Sequence, residues 1–223
     1  MEVTLPQAIL LLTLDDKTGK TEDGYYQPAL AGAALAELFL RGTIELEDDE
    51  IVPLRHSQQL GAFLGQCDAE IGSASKRQTV SHWISALATQ KDFIATLADE
   101  LCHLGALSKE KTKVFGLFTR TVWPEASPTL EQSLKREMKT AMFKETGSVD
   151  ERLCLVIAFA EAVDLLNMNF DRDKLAAHAD RISEIANGKC LKSSASEAVV
   201  KAVGTAIKTA HTMAESVTAS IIR

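Results

Sequence analysis

Glu161 and Asp164 stand three residues apart in the apolar run LCLVIAFAEAVDLL, so a helix would place both carboxylates on one face. Paired carboxylates can do general acid–base work. No histidine or nucleophile stands at motif spacing beside them, so the pair reads as a polar seam facing a basic partner. The five histidines (His56, His82, His103, His178, His211) form no HxH, HxxxH or HExxH pattern. Cys102 and His103 are adjacent, and neighbours on a helix point about 100° apart, which does not suit one shared metal. GxGxxG, GxxxxGK[ST] and GxSxG are all missing. The sequence therefore nominates no catalytic residue, no metal site and no cofactor.

A different cluster carries more information. The stretch KVFGLFTRTVWP, Lys113 to Pro124, is apolar and basic, and its GLFTRTV core is too β-branched for a helix. Lys109, Lys111, Lys113 and Arg120 gather there around Val114, Phe115, Leu117 and Phe118. The expected structure is a hairpin with its turn at Lys109-Glu110-Lys111-Thr112 and a returning strand from about Lys113. Cations beside exposed apolar side chains suit an anionic bilayer, at about 1 kcal/mol per basic residue, or a symmetric second copy that supplies acids. A further pair, Glu37 and Arg41, lies four residues apart on an otherwise apolar segment and should tie that segment to its exit turn.

The elements that must position these residues are mostly helical. LPQAILLLTLDDKTGK is an apolar segment that stops at a turn cluster. Ala29 to Leu40 is apolar on nearly all sides, which predicts a helix buried all round and ended by Gly42. TIELEDDEIVPL alternates about Asp48-Asp49-Glu50 and reads as a small hairpin. Residues 56 to 78 show no firm period. Thr79 to Leu104 reads as two helices with a slip at Thr89-Gln90. After the basic hairpin, an amphipathic helix starts at Ser127-Pro128. A capping box at Ser148-Val149-Asp150-Glu151 starts a nearly all-apolar helix, Leu153 to Leu166. Asp173 to Asn187 forms one amphipathic helix, and a capping box at Ser194-Ala195-Ser196-Glu197 opens a helix with one apolar stripe to the end. The fold class is all-α: one mainly helical domain over residues 1–223, with buried central helices and one or two small β-hairpins.

Composition narrows the function classes. The chain has 223 residues, 46% hydrophobic and 25% charged, with net charge −7. Nucleic acid is therefore not an expected partner of the whole surface. No apolar run reaches the roughly 20 residues of a membrane span. MEVTLPQAILLL carries an acid where a signal peptide carries positive charge. The four cysteines (Cys67, Cys102, Cys154, Cys190) show no CxxC spacing and read as reduced thiols, so the expected location is cytoplasmic, peripheral on a membrane surface. The run FIATLADELCHLGALSKEKTKVFGLF has the order of a winged helix, but its helix carries Asp92, Asp99 and Glu100, which would repel phosphate. DNA binding is the third reading.

These segments, in order, resemble the Golgi phosphoprotein 3 family. The matching stretches are LPQAILLLTLDDKTGK, LAGAALAELFLRGTIEL, TVSHWISALA, LADELCHLGALSKEKTKVFGLFTRTVWP and DERLCLVIAFAEAVDLL, with LRG at Leu40-Arg41-Gly42 and HWI at His82-Trp83-Ile84. The resemblance implies a helical fold with a projecting hairpin and a non-enzymatic adaptor. It implies a phosphatidylinositol 4-phosphate-type lipid, a glycosyltransferase-type client, and a hairpin that serves membrane contact and homo-oligomer formation. The family's head-group site uses a Trp and Arg residues. Those positions fall here near Glu22, with Tyr25 or Tyr26 within a small gap, and on Ala31, Lys91 and Ile94. The expected head-group site is thus depleted: Lys91, helped by Lys20 and an aromatic from Tyr25 or Tyr26. The basic N-terminal extension of eukaryotic adaptors has no counterpart, which points to a bacterial or divergent member. The alternative reading is a soluble self-associating helical domain without lipid binding.

Overall fold

Two helices with almost no polar face can be stable only where other elements cover them completely. The computed structural model, which describes residues 2–21, 26–55, 57–114, 118–144 and 149–221 (the backbone alone at 114, 118 and 208–221), builds that cover from both ends of the chain. Helix α1 (Leu5–Thr13) is capped by Thr4, whose hydroxyl accepts from Gln7 N while Gln7 Oε1 accepts from Thr4 N. All nine of its residues are buried. It packs on α2 (Tyr26–Leu40), where Leu30, Leu35 and Leu38 are solvent-free. Gly32 lets another helix approach α2: a Cβ there would stand 2.2 Å from Val203 Cγ2.

Strands β1 (Ile44–Glu47) and β2 (Glu50–Pro53) form the first hairpin. Its turn is Asp48-Asp49, both with positive φ, the conformation a tight two-residue turn requires. Helix α3 (Ala62–Ser73) follows in the region that shows no firm period, and β3 (Gln78–Thr79) adds a third strand beside β2. Neither element was foreseen. Helix α3 buries only Phe63, Leu64, Cys67 and Ile71, and Gly65 and Gly72 interrupt its pattern. Two residues are too few for β3 to announce itself.

Helices α4 (Val80–Ala88) and α5 (Phe93–His103) meet at the slip read from the sequence. The second hairpin differs from expectation. Strand β4 (Glu110–Val114) pairs with β5 (Phe118–Val122), Lys111 opposite Thr121 and Lys113 opposite Thr119. The polar run Glu110 to Lys113 is therefore strand, not turn. A solvated ribbon tolerates polar side chains along its strands, so polarity did not mark the reversal. Phe115, Gly116 and Leu117 lie outside the described residues.

Helix α6 (Thr129–Phe143) leads to α7 (Glu151–Ala162), whose cap is Asp150: its carboxylate accepts from Arg152 N at 3.0 Å. Ser148 lies outside the described residues. The long helix expected over Leu153–Leu166 breaks at Asp164, which has φ 63°, and resumes as α8 (Leu165–Asn169). The helix expected over Asp173–Asn187 is likewise two, α9 (Arg172–Ala177) and α10 (Ala179–Ala186), parted at His178. The last helix, α11 (Ser194–Ile221), lies against α2, α4 and α7. Its start is fixed by Ser193, whose hydroxyl accepts from Ser196 N, one residue ahead of the expected cap.

One cysteine expectation is overturned. Cys154 and Cys190 are joined by a disulfide across a separation of 36 residues, while Cys67 and Cys102 are free. The bond ties α7 to the turn after α10. No local spacing announces a pairing over such a distance, because it depends on α7 and α10 packing together.

Candidate functional site

A buried polar centre fixes the helices that frame the site. Glu37 is 0% exposed in α2. Its carboxylate accepts from Arg41 Nε at 2.8 Å, Arg152 NH2 at 2.6 Å and Leu5 N at 2.9 Å. Burial alone would push this carboxyl up; the Leu5 amide and the two guanidiniums outweigh it, and the group ends below its ordinary value. Arg41 is thus one of three donors. The other two come from the start of α1 and the first turn of α7, so one carboxylate joins three helices. A second carboxylate does similar work nearby: Glu100 accepts from Gln7 Nε2 at 3.0 Å and from Phe63 N at 2.9 Å.

The cleft of interest encloses about 630 Å³ beside the basic ribbon. Five separate segments build it: the loop after α1, the start of α2, the end of α4, the start of α5 and the base of β4–β5. The loop is folded on itself. Asp15 Oδ1 accepts from Thr18 N at 2.7 Å, and Asp15 N donates to Lys20 O. It is then clipped to the ribbon, since Trp123 N donates to Gly19 O at 2.9 Å and Glu125 N to Asp16 O at 3.0 Å. Gly19 is required at this clip. Its φ is +60°, and a Cβ would lie 2.0 Å from Pro124 N.

Among the described residues the lining carries three cations: Lys20 from the loop, and Lys109 and Arg120 from the ribbon. Lys109 Nζ is held by Asp99 Oδ2 at 2.8 Å, and Asp92 is an acid in the lining itself. Tyr26, Phe93 and Trp123 supply aromatic wall, and the enclosed indole N–H of Trp123 has no hydrogen-bond partner among the described residues. The start of α5 also faces the cleft through Phe93, Ile94 and Ala95. Its cap, Asp92, is left-handed and makes no side-chain bond to the first-turn amides. A helix start of this kind attracts anions through its unpaired N–H groups and its dipole. Cations beside an aromatic wall are the chemistry of an anion site.

Of the residues nominated from sequence, Lys20, Tyr26 and Lys109 line this cleft. Lys91 does not: it is exposed on the turn between two lining residues, Gln90 and Asp92. Tyr25 and Glu22 lie outside the described residues. Ala31 is 0% exposed in the core and Ile94 is an apolar lining residue, so neither offers a donor. Lys111 and Lys113 are exposed on β4, and only the backbone is described at Val114 and Phe118. Sequence reasoning missed Arg120 and Trp123 as cleft residues; the signal was their position in the same basic, aromatic stretch. Glu161, half of the carboxylate pair, is exposed and raised by partial burial and by Asp164. No helix among the described residues is long and apolar enough to cross a membrane. No group of three or more His, Cys, Asp or Glu among them could hold a metal ion.

The fold is a mainly helical core with a basic two-stranded ribbon and a cleft at the ribbon's base. The sequence model described as Golgi phosphoprotein 3 (GPP34) matches residues 5–208, from the first residue of α1 into α11. The chain belongs to the Golgi phosphoprotein 3 family.

Proposed function

We propose that this protein is a non-enzymatic peripheral membrane adaptor that seats an anionic lipid head group, of the phosphoinositide class, in the ribbon-side cleft. The observation that carries this reading is the convergence of Lys20, Lys109 and Arg120 on one cleft in a chain of net charge −7. The positions that match the family's arginines hold the buried Ala31 and the apolar Ile94, so the cations of the cleft come from the loop and the ribbon instead. With Lys109 already engaged by Asp99, the donors left for a phosphomonoester are fewer and less forked than several arginines would be, so discrimination between phosphoinositides should be weak. The exposed Lys111 and Lys113 extend the basic surface along the ribbon, where bilayer contact and self-association through Val114, Phe115, Leu117 and Phe118 both belong to this reading. A glycosyltransferase-type client, suggested by the family, is a further part of the proposal.

Cosedimentation with phosphatidylcholine vesicles containing phosphatidylinositol 4-phosphate, phosphatidylserine or neither tests it. Binding to both anionic vesicles, lost in Lys20→Glu/Arg120→Glu, is expected. Equal pelleting of the variant and the parent would refute the cleft as the lipid site.

A further inference from the structure

The outward face of α6 is basic, and nothing in the lipid-binding reading uses it. Leu134, Met138, Ala141 and Met142 turn into the core. The opposite face exposes Arg136, Lys139 and Lys144 around a groove of about 520 Å³ whose floor includes the half-buried Phe143. No acid lines this groove among the described residues, although acids outnumber bases 31 to 24 in the chain. A second groove of about 260 Å³ lies on α10, with Arg181 and Lys192 in its lining, one acid, Glu184, engaged by Lys189, and Val149 and Ile185 as apolar wall. Arg181 of this second groove ties α10 to α6, its Nε donating to Ala141 O at 3.3 Å. Neither shares a residue with the ribbon-side cleft.

We infer that the α6–α10 face is a docking site for an acidic polypeptide segment that carries apolar anchor side chains. Charge complementarity selects an anionic partner, and the shape selects its class. Two concave grooves with apolar floors accept side chains, as peptide-binding grooves do, whereas a bilayer presents a flat surface that cannot enter them. Bases of a nucleic acid would need a free aromatic face. Phe143 does not offer one: its ring is packed edge-to-face with Phe170 at 6.5 Å and tilted against His178 at 5.1 Å. The site gives the protein a second binding surface, so a membrane-bound copy could hold an acidic tail at the same time.

The test is fluorescence anisotropy of the full chain with a labelled peptide of repeated Glu-Glu-Leu. A Lys-Lys-Leu peptide, oligo-dT and phosphatidylserine vesicles serve as competing probes. The Glu-Glu-Leu peptide should bind at low salt, weaken as salt rises, and lose about tenfold or more affinity in Arg136→Glu/Lys139→Glu, since two attractive surface contacts become repulsive. Lys20→Glu/Arg120→Glu should bind it as the parent does. The substituted positions are exposed, and unchanged melting of the variants verifies the fold; Lys144→Glu, at the helix end, gives a milder second variant that should weaken binding in the same direction. The proposal is overturned if the acidic peptide fails to bind, if the α6 reversals leave its affinity unchanged, or if those reversals abolish only oligo-dT or vesicle binding.

Discussion

Arg152→Met should destabilise the protein more than Arg41→Met, although both arginines serve the same carboxylate. Glu37 is fully buried and holds three donors. Removing one partner of a buried ion pair costs about 3–5 kcal/mol when the charge is left uncompensated. Here two donors remain, so the loss on deleting Arg152 should be about 2–3 kcal/mol. Arg41 sits only four residues from Glu37, whereas Arg152 reaches it across 115 residues and ties α7 to α2. Its deletion therefore also loosens a helix–helix contact. For a chain of this size each kcal/mol moves Tm by about 2–4 °C, so Arg152→Met should melt about 4–12 °C lower, and Arg41→Met by less. The double variant leaves Glu37 with the Leu5 amide alone and should cost more than the two single losses added. Thermal melts by circular dichroism at neutral pH measure all three. The pH dependence has a definite sign. The folded Glu37 carboxyl lies below its ordinary 4.5, so its contribution is present above that value and is lost as pH falls through the lower folded value. Arg152→Met weakens what holds the group down, so acid unfolding should begin at higher pH. An Arg152→Met melt that overlays the parent at both neutral and acid pH would refute this account of the core.

Other outcomes follow from the same geometry. Reduction, or Cys154→Ser/Cys190→Ser, opens a closed loop with a 36-residue separation and should lower stability by about 4 kcal/mol on the chain-entropy scale, read as a fall in urea midpoint. Gly19→Ala should unclip the loop from Trp123–Pro124, lowering Tm and anionic-vesicle binding together, because its Cβ has no room and its φ is positive. Burial pushes the Cys67 thiol up to about 12, so a thiol reagent at mildly alkaline pH should leave Cys67 unmodified in the folded protein and react first with the half-buried Cys102.

What the sequence showed and what it hid divide along the range of the interactions. Helices α2 and α7 were legible because a run apolar on every side admits few placements, and the α4–α5 break was legible as a slip in the Trp83–Leu87–Phe93 spacing. The hairpin at Asp48-Asp49 announced itself through turn chemistry. Helix α3 did not, because only four of its positions are buried and glycines interrupt them. Asp164 and His178 broke helices whose apolar pattern runs on unbroken, since a left-handed aspartate or a one-residue kink leaves little trace in periodicity. The cleft was hidden for a stronger reason. Its lining comes from five segments, and which cations converge depends on the Gly19–Trp123 clip, a contact across more than a hundred residues. Counting along the chain against the family pattern nominates Lys91, which the fold leaves exposed beside the lining residue Asp92. Arg152 and the Cys154–Cys190 bond were invisible on the same ground.

The central claim, that the Lys20–Lys109–Arg120 cleft holds an anionic lipid head group, is most directly tested by the affinity of Lys20→Glu/Arg120→Glu for vesicles containing phosphatidylinositol 4-phosphate. Each basic residue near an anionic surface contributes about 1 kcal/mol, so removing two should cost about 30-fold in partition, and reversing their sign should cost more. The account predicts that loss with Tm unchanged. Retention of parental affinity by the folded variant would contradict it.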